Sequence, residues 1–239
     1  AFFIAAEIAR RVKEQLPGVK VVFGGAHPTI MTRQTLEHPA VDFVVLSEGE
    51  MTFLKLVEAV ERGGGWEKID GLGYKEEGRI FINPKTEFIT DLDQIPFPRR
   101  DLLPMQNYFQ AREPHGSANR IRWTTMIATR GCPYGCTFCN TPQIWHRRWR
   151  SRSPKNVVDE IESLKRRYGI EEIHFEDESL TTNLKWVQEF CLELGARDLN
   201  IVWQTSNGVR AESITEETLD LMKRSGCTQI TIAAESGSP

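Results

Sequence analysis

The sequence predicts an α/β protein built on parallel sheets with helices on their faces. Two observations predict it. Short apolar runs end in glycine or polar turns, and the turns open segments with apolar residues at helical spacing. In the C-terminal half this strand–turn–helix unit recurs about every 30 residues, the rhythm of an αβ barrel rather than of a solenoid.

The elements follow in order. Residues 2–16 carry Ile4, Ile8, Val12 and Leu16 at helical spacing, and Pro17-Gly18 stops that helix. Residues 19–23 read as a short buried strand running into Gly24-Gly25. Pro28 suits the first turn of the next helix, which ends near Glu37. Residues 42–46 are a second strand. Ser47-Glu48-Gly49-Glu50 follows, then a helix over 51–62 closed by Gly63-Gly64-Gly65. Residues 71–82 read as a hairpin around Glu76-Glu77-Gly78. Residues 83–119 hold Pro84, Pro96, Pro98, Pro104 and Pro114 with little periodicity, so the domain boundary is placed there.

The alternation then resumes with a strand over 123–129. Ser153-Pro154 opens a helix with the stripe Val157, Ile161, Leu164 and Tyr168, closed by Gly169. A strand over 170–175 precedes a helix carrying Leu184, Val187, Cys191 and Leu194. A third strand spans 201–205. Ser213 with Glu216 forms a capping box for a helix ending at Gly226, and a fourth strand spans 228–234. The resulting division is 1–66, a connector with a hairpin over 67–122, and 123–239. Residue 1 lies inside a helical pattern without a cap, and the last residues directly follow a strand. The chain therefore reads as a piece of a longer protein, truncated at both ends.

Composition narrows the function classes. Of 239 residues, 40% are hydrophobic and 26% charged, which excludes a disordered or fibrous chain. The longest apolar runs are too short to span a bilayer, and there is no signal-peptide pattern. The net charge of -3 implies no bulk attraction to nucleic acid or anionic membrane. One basic run, His146 to Arg152, contains Trp149. It reads as an ion-paired or solvated segment, with an arginine anchoring the neighbouring loop as the alternative and RNA binding last. Five cysteines, three of them within eight residues, point to a reducing, cytoplasmic setting and metal ligation, not to a disulfide scaffold.

The strongest chemical signal is Cys132-Pro133-Tyr134-Gly135-Cys136-Thr137-Phe138-Cys139. Three thiolates on one loop can hold a four-iron cluster and leave one iron open, because four cysteines would saturate it. Structural zinc prefers four ligands in paired knuckles, and no second knuckle exists here. Cys191 and Cys227 read as small core hydrophobes, and His146 is the remaining candidate for a zinc-stabilised, non-catalytic binding module.

The C-x-x-x-C-x-x-C run after a strand resembles the signature of the radical S-adenosylmethionine (SAM) enzymes, over residues 123–239. That resemblance implies a [4Fe-4S] cluster on Cys132, Cys136 and Cys139. Its open iron would chelate SAM, and one electron would cleave the sulfonium to methionine and a 5′-deoxyadenosyl radical. In αβ barrels reactive residues collect at the C-terminal ends of strands. Here the strands end in Thr129-Arg130-Gly131, Glu176-Asp177-Glu178, Ser206-Asn207-Gly208 and Glu235-Ser236-Gly237-Ser238, although strand ends and helix caps are polar in any case. By resemblance, Glu176 and Asp177 approach the methionine end of SAM, Ser206, Asn207, Glu235 and Ser236 approach its ribose or methionine, and Phe138 presents its backbone to the adenine.

In the N-terminal part, Gly24-Gly25-Ala26-His27-Pro28-Thr29 and Glu48-Gly49-Glu50 each follow a strand. They resemble the Rossmann-like cobalamin-binding domain often fused to radical SAM domains. Gly24, Gly25, Ala26, Glu48 and Gly49 are then the expected cobalamin contacts. Glycine at a strand end lets a ligand approach the backbone, and a doubly wound sheet binds ligands there. The family commonly has glycine where Ser47 stands. His27 is not assigned as a cobalt ligand, and the lower axial ligand is left open.

The resemblance implies a cobalamin-dependent radical SAM enzyme that transfers a methyl group to an unactivated carbon. It would act on a small-molecule substrate with a reductant such as flavodoxin or ferredoxin. Methylcobalamin would deliver the methyl group and a second SAM would restore it. A radical SAM oxidative cyclase or rearrangement enzyme is the alternative within the family. A methylthiotransferase would need further cysteines in the N-terminal part, and none is there.

Overall fold

The computed structural model describes residues 2–111 and 117–237. Ala1, Pro114 and Ser238, which entered the sequence reading, lie outside them. The chain divides into two compact units, one comprising Ala1–Ile89 with Cys136–His146, the other Thr90–Gly135 with Arg147–Pro239. Among the described residues no helix is long and apolar enough to cross a membrane.

The first unit opens with α1 (Phe2–Gln15), β1 (Val22–Gly24), α2 (Ala26–Ile30), α3 (Thr32–Glu37), β2 (Phe43–Val45) and α4 (Glu50–Arg62). The single helix expected up to Glu37 is thus two short ones, interrupted at Met31. β1 and β2 pair in parallel, with Gly24 opposite Val45. The hairpin of β3 (Leu72–Glu76) and β4 (Arg79–Ile82) does not stand in a separate connector: β3 pairs antiparallel along β2, giving the order β1-β2-β3-β4. Its two-residue turn places Glu77 at φ 48 and Gly78 at φ 74, the twist a tight hairpin requires. The sheet has core on both faces. Val45, Leu56, Ala59 and Leu72 form one cluster, and Leu36, Val41 and Val44 the other.

The apolar stripe read for residues 2–16 does mark a helix, but it is not the buried face of α1. Ile4, Ile8 and Leu16 are exposed, and the helix buries Ala6 and Ala9 instead. Apolar spacing identified the helix, but its buried side is the one with small residues. Lys13 anchors it through Asp42 at 2.6 Å and the Val19 carbonyl at 2.8 Å. Residues beyond the hairpin are also tied to this unit. Asp70 accepts from the Thr86 amide at 2.8 Å and hydroxyl at 2.6 Å, and the buried Lys85 reaches Asp70 at 3.3 Å.

The second unit contains α5 (Met105–Ala111), β5 (Trp123–Met126) and β6 (Thr129–Arg130). The cysteine loop and α6 (Thr141–Trp145) follow in sequence. The unit resumes with β7 (Arg150–Ser151), α7 (Pro154–Tyr168), β8 (Glu172–Phe175), α8 (Leu184–Ala196), β9 (Val202–Gly208), α9 (Glu216–Arg224) and β10 (Cys227–Thr231). β5, β8, β9 and β10 form one parallel sheet in the order β10-β9-β8-β5, connected through α7, α8 and α9. This is a parallel βα sheet with helical crossovers. Val157, Ile161, Val187 and Phe190 pack on Ile173, Phe175 and Trp203 in its core. Cys191 lies in that core and Cys227 packs against it.

α7 matches its sequence reading closely. The Ser153 hydroxyl accepts from the Asn156 amide at 3.1 Å, Pro154 is the first helical residue, and Gly169 ends the helix. For α9 the cap is Thr215, whose hydroxyl accepts from the Thr218 amide at 3.2 Å, not Ser213. The helix starts at Glu216, one residue after Thr215, because residues 211–213 first form a 3₁₀ turn. The strand expected over 123–129 is broken after Met126, and β6 turns aside to pair antiparallel with β7.

Candidate functional site

The candidate residues lie on turns after β1 and β2 in the first unit, at strand ends in the second, and on the cysteine loop, of which Cys132 belongs to the second unit and Cys136 and Cys139 to the first. In the first unit, the parallel pairing of Gly24 with Val45 brings the turn after β1 beside the turn after β2. Gly24, Gly25 and Ala26 are exposed. Gly25 has φ 95, and nothing lies within 4 Å of the position a Cβ would take. The backbone there is open to a ligand, as a cradle requires. The Thr29 hydroxyl locks the two turns together: it donates to the Gly25 carbonyl at 2.7 Å and accepts from the Ser47 amide at 2.8 Å. Glu48 is buried, and its carboxylate accepts from the Ile89 amide at 2.6 Å. Gly49 caps the N-terminus of α4, where a Cβ would press on Val45 at 3.1 Å.

Ser47 itself adopts φ 56, the left-handed region that favours glycine. The departure from the family's glycine therefore carries a backbone cost. Ser47→Gly is expected to raise stability by about 0.5–1 kcal/mol, the left-handed penalty less the added entropy of the unfolded chain. Thermal unfolding of the two proteins measures it.

In the second unit, Cys132 follows β6 after Gly131. None of the five cysteines is in a disulfide; Cys132 and Cys139 are half-buried and Cys136 is exposed. The Cys139 amide donates to the Cys136 carbonyl at 3.2 Å, and the Thr141 amide donates to Cys139 Sγ at 3.4 Å. An N–H···S bond of this kind stabilises a thiolate ligand. Among the described residues no three His, Cys, Asp or Glu side chains are gathered closely enough to hold a metal ion as they stand. The donor set fits an iron–sulfur cluster, since three thiols share one short loop. Burial pushes the other two thiols up, Cys227 to about 12, which keeps them protonated and in the core. His146, the candidate for a zinc site, meets the Phe88 ring edge-on with centroids 5.0 Å apart.

The loop is held by Arg210, which the sequence did not single out, and by Arg147 and Glu178, which it did. The Arg210 guanidinium lies 4.2 Å above the Tyr134 ring. Arg147 packs on Gly135, 3.4 Å from where a Cβ would sit. This supports loop anchoring by one arginine of the basic run, whereas Arg152 of the same run is ion-paired with the buried Glu160 at 2.6 Å. The Glu178 carboxylate accepts from the Gly131 amide at 3.2 Å.

Among the expected SAM contacts, Glu176 and Ser206 lie side by side just past the paired Phe175 and Thr205. The Ser206 hydroxyl is buried with no hydrogen-bond partner among the described residues, an orphan that a polar ligand group would satisfy. Asn207 donates to the Glu176 carbonyl at 2.9 Å and so ties the ends of β8 and β9 together. Phe138, Glu235 and Ser236 are exposed. Asp177 differs from the rest. It is buried, and its carboxylate accepts from the amides of Ala128 and Thr129 and from the Thr129 hydroxyl. Burial pushes this carboxyl up to about 7, against the donors from Thr129 and Ala128, and the charge of Glu178 adds to the rise.

Comparison with known proteins agrees with this geometry. Residues 126–239 match the model of the radical SAM superfamily, and residues 1–57 match that of the B12 binding domain. The chain belongs to the B12-binding radical SAM proteins. An uncharacterized methyltransferase of Pyrococcus horikoshii is 36% identical over 99% of this chain and 49% of its own length. An anaerobic magnesium-protoporphyrin IX monomethyl ester cyclase of Cereibacter sphaeroides is 32% identical over 100% of this chain and 39% of its own length. This B12-binding radical SAM chain thus spans half or less of these relatives. Its fold is similar to that of the radical SAM methyltransferase TsrM of Kitasatospora setae, solved with tryptophan and a SAM analogue. The TM-score is 0.81 at 22% identity, covering 98% of this chain and 44% of that one.

Proposed function

We propose that this B12-binding radical SAM chain belongs to a methyltransferase that acts on an unactivated carbon of a small molecule, in a reducing, cytoplasmic setting. The observation that carries the reading is the three-cysteine loop that follows β6 in sequence, in one chain with the open glycine turn after β1. Cys132, Cys136 and Cys139 would hold a [4Fe-4S] cluster, and Gly24, Gly25, Ala26, Glu48 and Gly49 would line the cobalamin crevice. When bound, the cluster supplies the electron that breaks the sulfonium bond of SAM, and cobalamin supplies the methyl-carrying metal. Ser206 would offer its hydroxyl to SAM, beside Glu176. Phe138, Glu235 and Ser236 are exposed and accessible to it, and Asn207 holds the strand ends in register. Glu48 would contribute through its backbone, because its carboxylate is engaged with Ile89. A reductant such as flavodoxin or ferredoxin would deliver the electron.

The cyclase relative favours a second reading, oxidative ring formation, with the same cofactors. Anaerobic turnover with methyl-labelled SAM separates the two. Label in the product is expected for methyl transfer. 5′-Deoxyadenosine with an unlabelled, more oxidised product would establish the cyclase reading instead. One zinc per chain and no iron would point to the binding module.

A further inference from the structure

The cysteine loop leaves the sheet at a point where the chain has abandoned its strand. β5 stops at Met126, and the next amides do not continue a β ladder with β8. Ala128 N–H donates to Asp177 at 3.1 Å, and Thr129 donates to the same carboxylate through both its amide and, at 2.6 Å, its hydroxyl. Glu178 then takes the Gly131 amide at 3.2 Å. Two consecutive carboxylates at the end of β8 thus bind three of the four backbone amides that precede Cys132. On its other side this stretch is held by β7, with Thr129 opposite Ser151 and Arg130 opposite Arg150. Thr129 is fully buried and Asp177 nearly so, at 0% and 3% exposure, so water does not compete for these bonds.

We propose that Asp177 is a positioning residue for the cysteine loop: through Ala128 and Thr129 it sets the path of the chain into Cys132, and it does not contact SAM. The inference rests on the reading of Cys132 as a cluster ligand. It replaces the SAM contact expected for Asp177 with a role one layer behind the ligands. Every donor aimed at Asp177 needs an acceptor. Asparagine keeps the shape and can leave its oxygen where Oδ1 accepts from Thr129, but it gives up the charge that strengthens those bonds and puts an N–H donor in place of Oδ2, facing the Ala128 amide at 3.3 Å. Residues that orient metal ligands in this way typically cost on the order of tenfold or more in metal affinity when replaced.

The test compares wild type, Asp177→Asn, Thr129→Val and Thr129→Ser after anaerobic reconstitution. It reads iron content, the electron paramagnetic resonance spectrum of the reduced cluster, and SAM affinity by equilibrium dialysis. Asp177→Asn is expected to hold iron on the order of tenfold more weakly and to shift the spectrum of the cluster it retains. SAM affinity per intact cluster is expected to stay within about twofold. Thr129→Val should reproduce the spectral shift in weaker form, and Thr129→Ser, which keeps the hydroxyl, should restore the wild-type spectrum. The Thr129 pair leaves Asp177 in place, so it decides the matter even where Asp177→Asn fails to fold. Full iron and an unchanged spectrum in Asp177→Asn, with SAM affinity down about tenfold or more, would overturn the proposal and restore the SAM contact. So would a Thr129→Val spectrum identical to wild type. A wild type that takes up no iron would overturn the cluster reading itself, an outcome the variants do not mimic.

Discussion

Alanine at Cys132, Cys136 or Cys139 is expected to strip the protein of its iron, from about four per chain to near zero, whereas alanine at Cys191 or Cys227 leaves the iron in place. The contrast has a physical basis on both sides. The first three thiols share one loop, with Cys136 exposed and a backbone N–H directed at the Cys139 sulfur. With one of three ligands gone, the remaining two cannot hold a cluster that already has an open iron. Cys191 lies in the core and Cys227 packs against it, and burial holds both thiols in the neutral form, which does not ligate. Iron and acid-labile sulfide analysis after anaerobic reconstitution measures the difference. Loss of the cluster in Cys191→Ala with retention in Cys136→Ala would sink the assignment.

Gly25→Trp is expected to abolish cobalamin binding and methyl transfer while reductive SAM cleavage persists. The glycine sits where β1 ends beside β2, with open space at its Cβ position, so an indole there would occupy the crevice. Its φ of 95 adds backbone strain of about 1–3 kcal/mol for any side chain. Gly25→Ala carries the same strain with only a methyl group, and so separates strain from steric exclusion. Cobalamin is read from its absorption spectrum and SAM cleavage from 5′-deoxyadenosine. Retained cobalamin in Gly25→Trp would remove the crevice from the reading. Equal loss in Gly25→Ala would assign the effect to the backbone.

Much of the fold was legible because local chemistry specifies it. α7 could be bounded from Ser153-Pro154 and Gly169, since a capping hydroxyl, a first-turn proline and a terminal glycine act within a few residues of the helix they delimit. The hairpin could be read from Glu76-Glu77-Gly78 between two strand-like runs, since glycine readily takes the positive φ that a tight turn needs. The cysteine spacing is likewise local, so the candidate metal loop needed no coordinates.

What the sequence by itself determined, then, is where the helices, turns and the cysteine loop lie, and which turns carry chemistry. The tertiary structure alone decided what each polar group faces. Asp177 and Glu176 are neighbours at a strand end and read alike, yet Asp177 turns to amides 48 residues earlier. Glu48 belongs to a ligand-type turn, yet its carboxylate is taken by Ile89, 41 residues later. The hairpin was legible, but its place as the third and fourth strands of the first sheet came from pairing with β2. The apolar stripe of α1 identified a helix and not its buried face, which Ala6 and Ala9 form. In each case the deciding partner is distant in sequence. A buried carboxylate or an open strand edge takes whichever donors packing brings to it, and only the folded chain says which those are.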